Sequence, residues 1–207
     1  YKKSDTLIQT KRLKDFHNLY VKSKLITAVS KTDDTLIDLA VGKAGDLPKW
    51  IKSKLNFVFG IDYSKDNIEN KVDGACARYL NKKKNIKRLP YCLFVHGNSS
   101  RNVRNTDAIY SEKFKLITRA IFGDGPKDES LIGKGVFNNY GKATNGFAIT
   151  SCQFALHYFF ENLVILQQFL RNVCECTKVN GYFVATCYDG LKLFNMLEKY
   201  KKGESIL

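Results

Sequence analysis

Acids, histidines and long apolar runs are all scarce in this sequence. Lys and Arg number 34 against 20 Asp and Glu, a formal charge of +14, and only three histidines occur in 207 residues. No stretch approaches the roughly 18 apolar residues that cross a bilayer, and no signal peptide opens the chain. The six cysteines (76, 92, 152, 174, 176 and 187) offer no zinc-ligand spacing, because Cys174-x-Cys176 is answered by no second Cys/His pair. Most lie in apolar stretches, so reduced thiols in a cytosolic chain are expected. A GxxxxGK[ST] phosphate loop is missing, as is any Ser/His/Asp constellation or acid/base dyad, which removes support for phosphate-loop and hydrolase chemistry.

The excess of bases points to a polyanionic partner, most simply nucleic acid, and away from a membrane. Nine Lys/Arg and a single acid, Asp73, fall within residues 71–105. Such a run is either a solvated face or a surface that tracks phosphates.

Strand patterns over 35–41, 56–62, 91–96, 146–154 and 181–188 alternate with helical patterns over 45–54, 64–83 and 160–178. A helix over 13–29 comes first. This order predicts an α/β domain with a parallel sheet covered on both faces. Residues 99–145, dense in Gly, Asn and Lys, read as an insertion carrying a helix near 112–122.

The first strand and its turn, LIDLAVGKAGDLPKW (36–50), carry the chemistry. A glycine-bearing turn lets a ligand approach the backbone, and the helix behind it presents N–H groups. Asp62, twenty residues after Gly42, ends the second strand, where a carboxylate can accept from both hydroxyls of a ribose. A dinucleotide fingerprint would need glycine where Ala40 stands. The spacing therefore favours S-adenosylmethionine, which has no phosphate, and leaves open a dehydrogenase or a doubly wound domain without a nucleotide.

Four blocks in order resemble the mRNA cap (guanine-N7) methyltransferase family, particularly the domains in capping enzymes of large DNA viruses. They are FHNLYVKSKLI (16–26), the turn just described, SCQFALHYFFEN (151–162) and GYFVATCYDGLKL (181–193). The resemblance implies a Rossmann-like S-adenosylmethionine-dependent methyltransferase fold with a mostly parallel sheet, and transfer of a methyl group to guanine N7. It implies a cofactor site of Lys22, Gly42, Asp62, Asn98, Ser99, Gln153 and Tyr158. It implies a cap site of Asn18, Lys43, Phe154 and His157, with His157 and Tyr158 aligning the reactants.

Three departures stand out. Leu19, Tyr20 and Val21 separate Asn18 from Lys22, one residue more than the family pattern. Asn98-Ser99 stands where Asp-Ser is usual. The acid and aromatic that close the family's guanine pocket have no match before Leu207, so residues 1–207 are expected to be a single domain, incomplete at its C-terminus. Ala40, Ala44 and Asn98 keep alive an alternative, a catalytically idle cap- or RNA-binding module. Aromatic residues of the third block can also be plain core, and Lys14, Asn18 and Lys22 a solvated stripe.

The expected partner is GpppN-capped RNA. Triphosphatase and guanylyltransferase domains on the same polypeptide and a stimulatory subunit are further candidates, and the host cytoplasm or a virion is the expected location. A Lys-Asp-Lys-Glu pattern is missing, which argues against the ribose 2′-hydroxyl as target.

Overall fold

The computed structural model describes residues 11–201, 203 and 204. In chain order the elements are α1 (Lys11–Asp15), a π-helical turn (Phe16–Val21), α2 (Lys22–Val29), β1 (Thr35–Asp38), α3 (Leu47–Lys52) and β2 (Phe57–Asp62). Then come α4 (Lys65–Glu69), α5 (Ala75–Lys83), β3 (Tyr91–His96), α6 (Glu112–Phe122), α7 (Glu129–Ile132) and α8 (Lys134–Phe137). The chain continues through β4 (Phe147–Gln153), a 3-10 turn (Leu156–Phe160), α9 (Leu163–Cys176), β5 (Thr177–Thr186) and α10 (Gly190–Leu197).

All five strands are parallel, in the order β3-β2-β1-β4-β5. Every residue of β2 and of β4 is buried, as expected of strands with helices on both faces. One face packs Phe57, Phe59 and Phe147 against Phe122 of α6 and Phe169 of α9. The other packs Leu36, Val58 and Phe94 against Ile26 of α2 and Trp50 of α3. The order reverses between β1 and β4, and a crevice opens there at the carboxyl ends of the strands,.

Two sequence expectations need correcting, and a third gains detail. The helix read over 64–83 is two helices, because the Asn70 side chain accepts from the Val72 and Asp73 N–H groups and turns the chain. Gly74 sits tight in that turn, where an added Cβ would come within 2.6 Å of the Asn70 carbonyl. The last strand begins at Thr177, directly after α9, and its pairing jumps from Phe147↔Thr177 to Ile149↔Tyr182. The extra residues form an excursion through Asn180 at φ 62°; this turn chemistry made the strand look shorter. Segment 99–145, read as an insertion, supplies Ile117, Ile121, Phe122, Ile132 and Val136 to the core.

Phe122 lies 5.9 Å from Phe147, edge to face, and is buried. Phe122→Ala should lower unfolding free energy by about 3–5 kcal/mol in a urea titration. A change within experimental error would show that α6 is a dispensable addition to the core.

Candidate functional site

The crevice holds a cavity of about 630 Å³. Its walls come from the carboxyl ends of four strands: Leu39 and Ala40 after β1, Asp62 and Tyr63 at β2, Asn98–Ser100 after β3, and Gln153–Ala155 after β4. Tyr158, Phe159, Glu161 and Ile165 close it from the 3-10 turn and α9. Sequence reasoning named Asp62, Asn98, Ser99, Gln153, Phe154 and Tyr158, and the fold brings all six to this cavity.

Asp62 organises the floor. Its Oδ2 accepts from the Gly42 N–H at 2.7 Å, and its Oδ1 from the Ser64 N–H and the Asn67 amide, each at 2.9 Å. A carboxylate offers about four acceptor sites, so Oδ2 keeps one for a ligand hydroxyl. Asp62 thus fits one hydroxyl of a ribose rather than both, and Asn67, itself a cavity residue, stands beside it. Gly42, at φ 53°, acts one step behind the cavity wall by fixing this carboxylate. The left-handed backbone there is why the position suits glycine; Ala44, at the same φ, adopts it at some cost in strain,.

On the β3 side, Ser99 Oγ donates to the Leu39 carbonyl at 2.7 Å, tying two loops together. The Asn98 side-chain oxygen accepts from the Ser100 N–H at 2.9 Å, so it is already engaged. The oxygen keeps a second acceptor site for a ligand. His96 Nε2 lies 3.0 Å from the Tyr63 carbonyl; a carbonyl only accepts, so Nε2 carries the proton.

On the β4 side, Gln153 accepts from Thr186 Oγ1 and donates to the Val184 carbonyl. Phe154 stands at φ 57°, uncommon for a side-chain-bearing residue,. Its N–H is held by the Thr186 carbonyl at 2.9 Å and Thr186 Oγ1 at 3.0 Å. The ring projects toward the opening helix, with Lys22 Nζ 5.0 Å from its centroid and the His17 ring 5.4 Å away, edge on.

The opening helix sets His17, rather than Asn18, beside Lys22 and Phe154. The Lys22 N–H bonds the His17 carbonyl, five residues back. A turn closed this way absorbs one residue relative to an α-helix, and three residues do separate Asn18 from Lys22. His17, not Asn18, consequently joins Lys22 at Phe154, while Asn18 is exposed. The surplus residue between Asn18 and Lys22 is the mark this wider turn leaves in the sequence.

Lys43 also turns elsewhere. Its Nζ lies 2.7 Å from Asp73 and 3.5 Å from Asp66, away from Phe154. The acids raise its pKa, led by the hydrogen bond to Asp73. His157 does not line the cavity; its ring rests between Tyr158 at 4.3 Å and Tyr188 at 4.9 Å. Its Nδ1 is buried with no hydrogen-bond partner among the described residues. Tyr188, exposed at the end of β5, was not singled out, although it stands in the fourth block.

Below the cavity lies an acidic layer. Asp38 is buried, and its carboxyl is pushed up to about 7, first by loss of solvation and then by the charge of Asp46. Asp46 faces Lys22 at 3.5 Å and Lys49 at 2.8 Å, the latter an ionic contact without hydrogen-bond alignment. Asp38 accepts from the Ala40 N–H at 3.1 Å, so its protonation bears on the turn. The folded pKa lies above the ordinary 3.8: the folded protein holds this proton longer than the unfolded chain. Stability attributable to Asp38 therefore falls as pH rises through the window from about 4 to about 7. Asp38→Asn should flatten this part of a pH–stability profile. An unchanged slope in denaturation curves across that window would refute the assignment.

The sequence matches the mRNA (guanine-N(7))-methyltransferase domain family over residues 2–206. Among curated proteins it is 29% identical over 188 residues to a probable mRNA-capping enzyme of Acanthamoeba polyphaga mimivirus, covering 91% of this chain and 15% of that one. It is 27% identical over 208 residues to mRNA cap guanine-N(7) methyltransferase 1 of Arabidopsis thaliana, covering 99% of this chain and 46% of that one. The chain thus spans less than half the length of these relatives. Among solved structures, an S-adenosylmethionine-dependent methyltransferase from Clostridium acetobutylicum superposes with a TM-score of 0.51 at 12% identity, over 90% of this chain and 60% of that one. That likeness is one of fold. The family match, which runs through all four sequence blocks, makes this chain a member of the mRNA (guanine-N7)-methyltransferase domain family.

Proposed function

We propose that this chain transfers a methyl group from S-adenosylmethionine to N7 of the guanine cap of RNA. The observation that carries the reading is the joining, at Phe154, of a nucleoside-sized cavity and an aromatic, basic corner. The cavity offers Asp62 to a ribose and Tyr63, Asn98 and Ser99 to an adenine. Lys22, already paired with Asp46, sits where the carboxylate of the donor's methionine end would meet a cation.

Guanine N7 has a free lone pair, so the site needs no general base. Its residues hold the reactants in line and tolerate moving positive charge. Phe154, Tyr158 and Tyr188 provide faces for a purine, which attract it more strongly once N7-methylation makes it cationic. His17 and the orphaned His157 Nδ1 supply polar edges. For the RNA, α5 and the loop after it expose Lys82, Lys83, Lys84 and Lys87, with no ion pair among the described residues. A groove of about 400 Å³ also runs between Pro48 and the α5 residues Arg78 and Lys82.

Label from S-adenosylmethionine should appear on GpppN-capped RNA and, after nuclease digestion, on guanine N7. Asp62→Ala, which removes both the ribose acceptor and the anchor of Gly42, should lower kcat/KM by about 100-fold. Heat from S-adenosylhomocysteine binding, followed by no transfer to any capped RNA, would favour the idle binding module. A second expectation separates the opening-helix residues: His17→Ala should raise KM for capped RNA by about tenfold, and Asn18→Ala should leave it nearly unchanged. Equal effects would mean that the π-helical turn does not choose between them.

A further inference from the structure

The loop after β3 leaves the sheet at Gly97 and returns at Ile109, closed by a bridge between these two residues and by the Asn98 N–H to the Ala108 carbonyl. Its first three residues, Asn98–Ser100, form one wall of the cavity. Outside the loop, the sheet side offers them one side-chain anchor, Ser99 Oγ to the Leu39 carbonyl. Many of the loop's other backbone groups bond within it, but the Ser99 and Arg101 carbonyls and the Val103 N–H are satisfied from another element,.

That element is α9, through a single side chain. Asn172 is fully buried, and its Nδ2 donates to the Ser99 carbonyl at 2.8 Å and the Arg101 carbonyl at 2.7 Å. Its Oδ1 accepts from the Val103 N–H at 2.9 Å. One amide therefore spans both ends of a five-residue arc, using two donors and one acceptor in a dry setting. One helical turn on, Glu175 accepts from the Asn102 side chain at 2.7 Å.

We propose that Asn172 is the positioning residue of the adenine end of the cofactor site: by holding residues 99–103 in one shape it sets Asn98 and Ser99 against the ligand. Asparagine suits the task by chemistry. Aspartate has the shape but no donors, and would set a carboxylate against two carbonyls. Leucine has the bulk but leaves the buried Ser99 carbonyl and Val103 N–H, and the part-buried Arg101 carbonyl, without this partner,. Asn172 does not itself line the cavity, and it acts only through the loop.

The inference rests on reading this cavity as the S-adenosylmethionine site. Its test compares Asn172→Asp and Asn172→Leu with the unmodified protein, using S-adenosylhomocysteine and the cap analogue GpppG as separate probes. Loss of the positioned wall should weaken S-adenosylhomocysteine by at least about tenfold while GpppG stays within about threefold. Unchanged S-adenosylhomocysteine affinity, or an equal loss for both probes, would overturn the proposal, since a merely structural role moves both together. If neither variant gives a cooperative melt, amide exchange of the unmodified protein decides. The Val103 N–H should be protected without ligand and more so with S-adenosylhomocysteine, and exchange at the rate of an open loop would sink the clamp. Failure of the unmodified protein to bind S-adenosylhomocysteine would instead count against the cofactor reading, with Val103 protection still judging the clamp.

Discussion

The Gly42 N–H meets the Asp62 carboxylate at 2.7 Å, and through it the first turn and the second strand become one piece. The same carboxylate caps the start of the next segment through Ser64 and Asn67. The turn after β1, 20 residues away in sequence, and the start of α4 thus converge on two oxygens, one strand from the point where the strand order reverses. The sheet supplies the rigid edge, because β1 and β2 are hydrogen-bonded from Thr35↔Phe57 to Asp38↔Gly60. The turn cannot shift without moving the carboxylate, nor the carboxylate without opening the turn. The cavity owes its shape to that mutual restraint.

Phe154 plays the complementary part on the other side of the reversal. Its left-handed backbone costs about 1–3 kcal/mol, which the double hold of Thr186 on its N–H offsets. The strain swings the ring out of the strand's alternation and toward α2. There it divides the cavity from the basic, aromatic corner of Lys22 and His17. A residue with ordinary strand geometry would keep its side chain on one face of the sheet and leave the two compartments undivided.

Much of this was legible in the sequence. Buried parallel strands announce themselves as apolar runs, so β2 and β4 were placed nearly to the residue, and Asp62 and Gln153 fell at their ends. Turn geometry was less legible. The break at Asn70 depends on a side-chain oxygen finding two backbone N–H groups, and the early start of β5 on a three-residue excursion that no periodicity marks. Helical register was the hardest part. Asn18 and His17 are neighbours, and only the hydrogen bond between Lys22 and His17 decides which faces Phe154. Asn172 was invisible for another reason: its partners lie about 70 positions away, and nothing local distinguishes it from a solvated asparagine.

The carboxylates at the crevice, Asp62 foremost, are a local exception in a chain of formal charge +14. A polyanion at a distance is drawn by the whole surface, and added salt weakens that pull. A small cation at the crevice meets local carboxylates instead, across distances too short for salt to screen. Ionic strength can therefore tune capture of the long ligand almost independently of the small one.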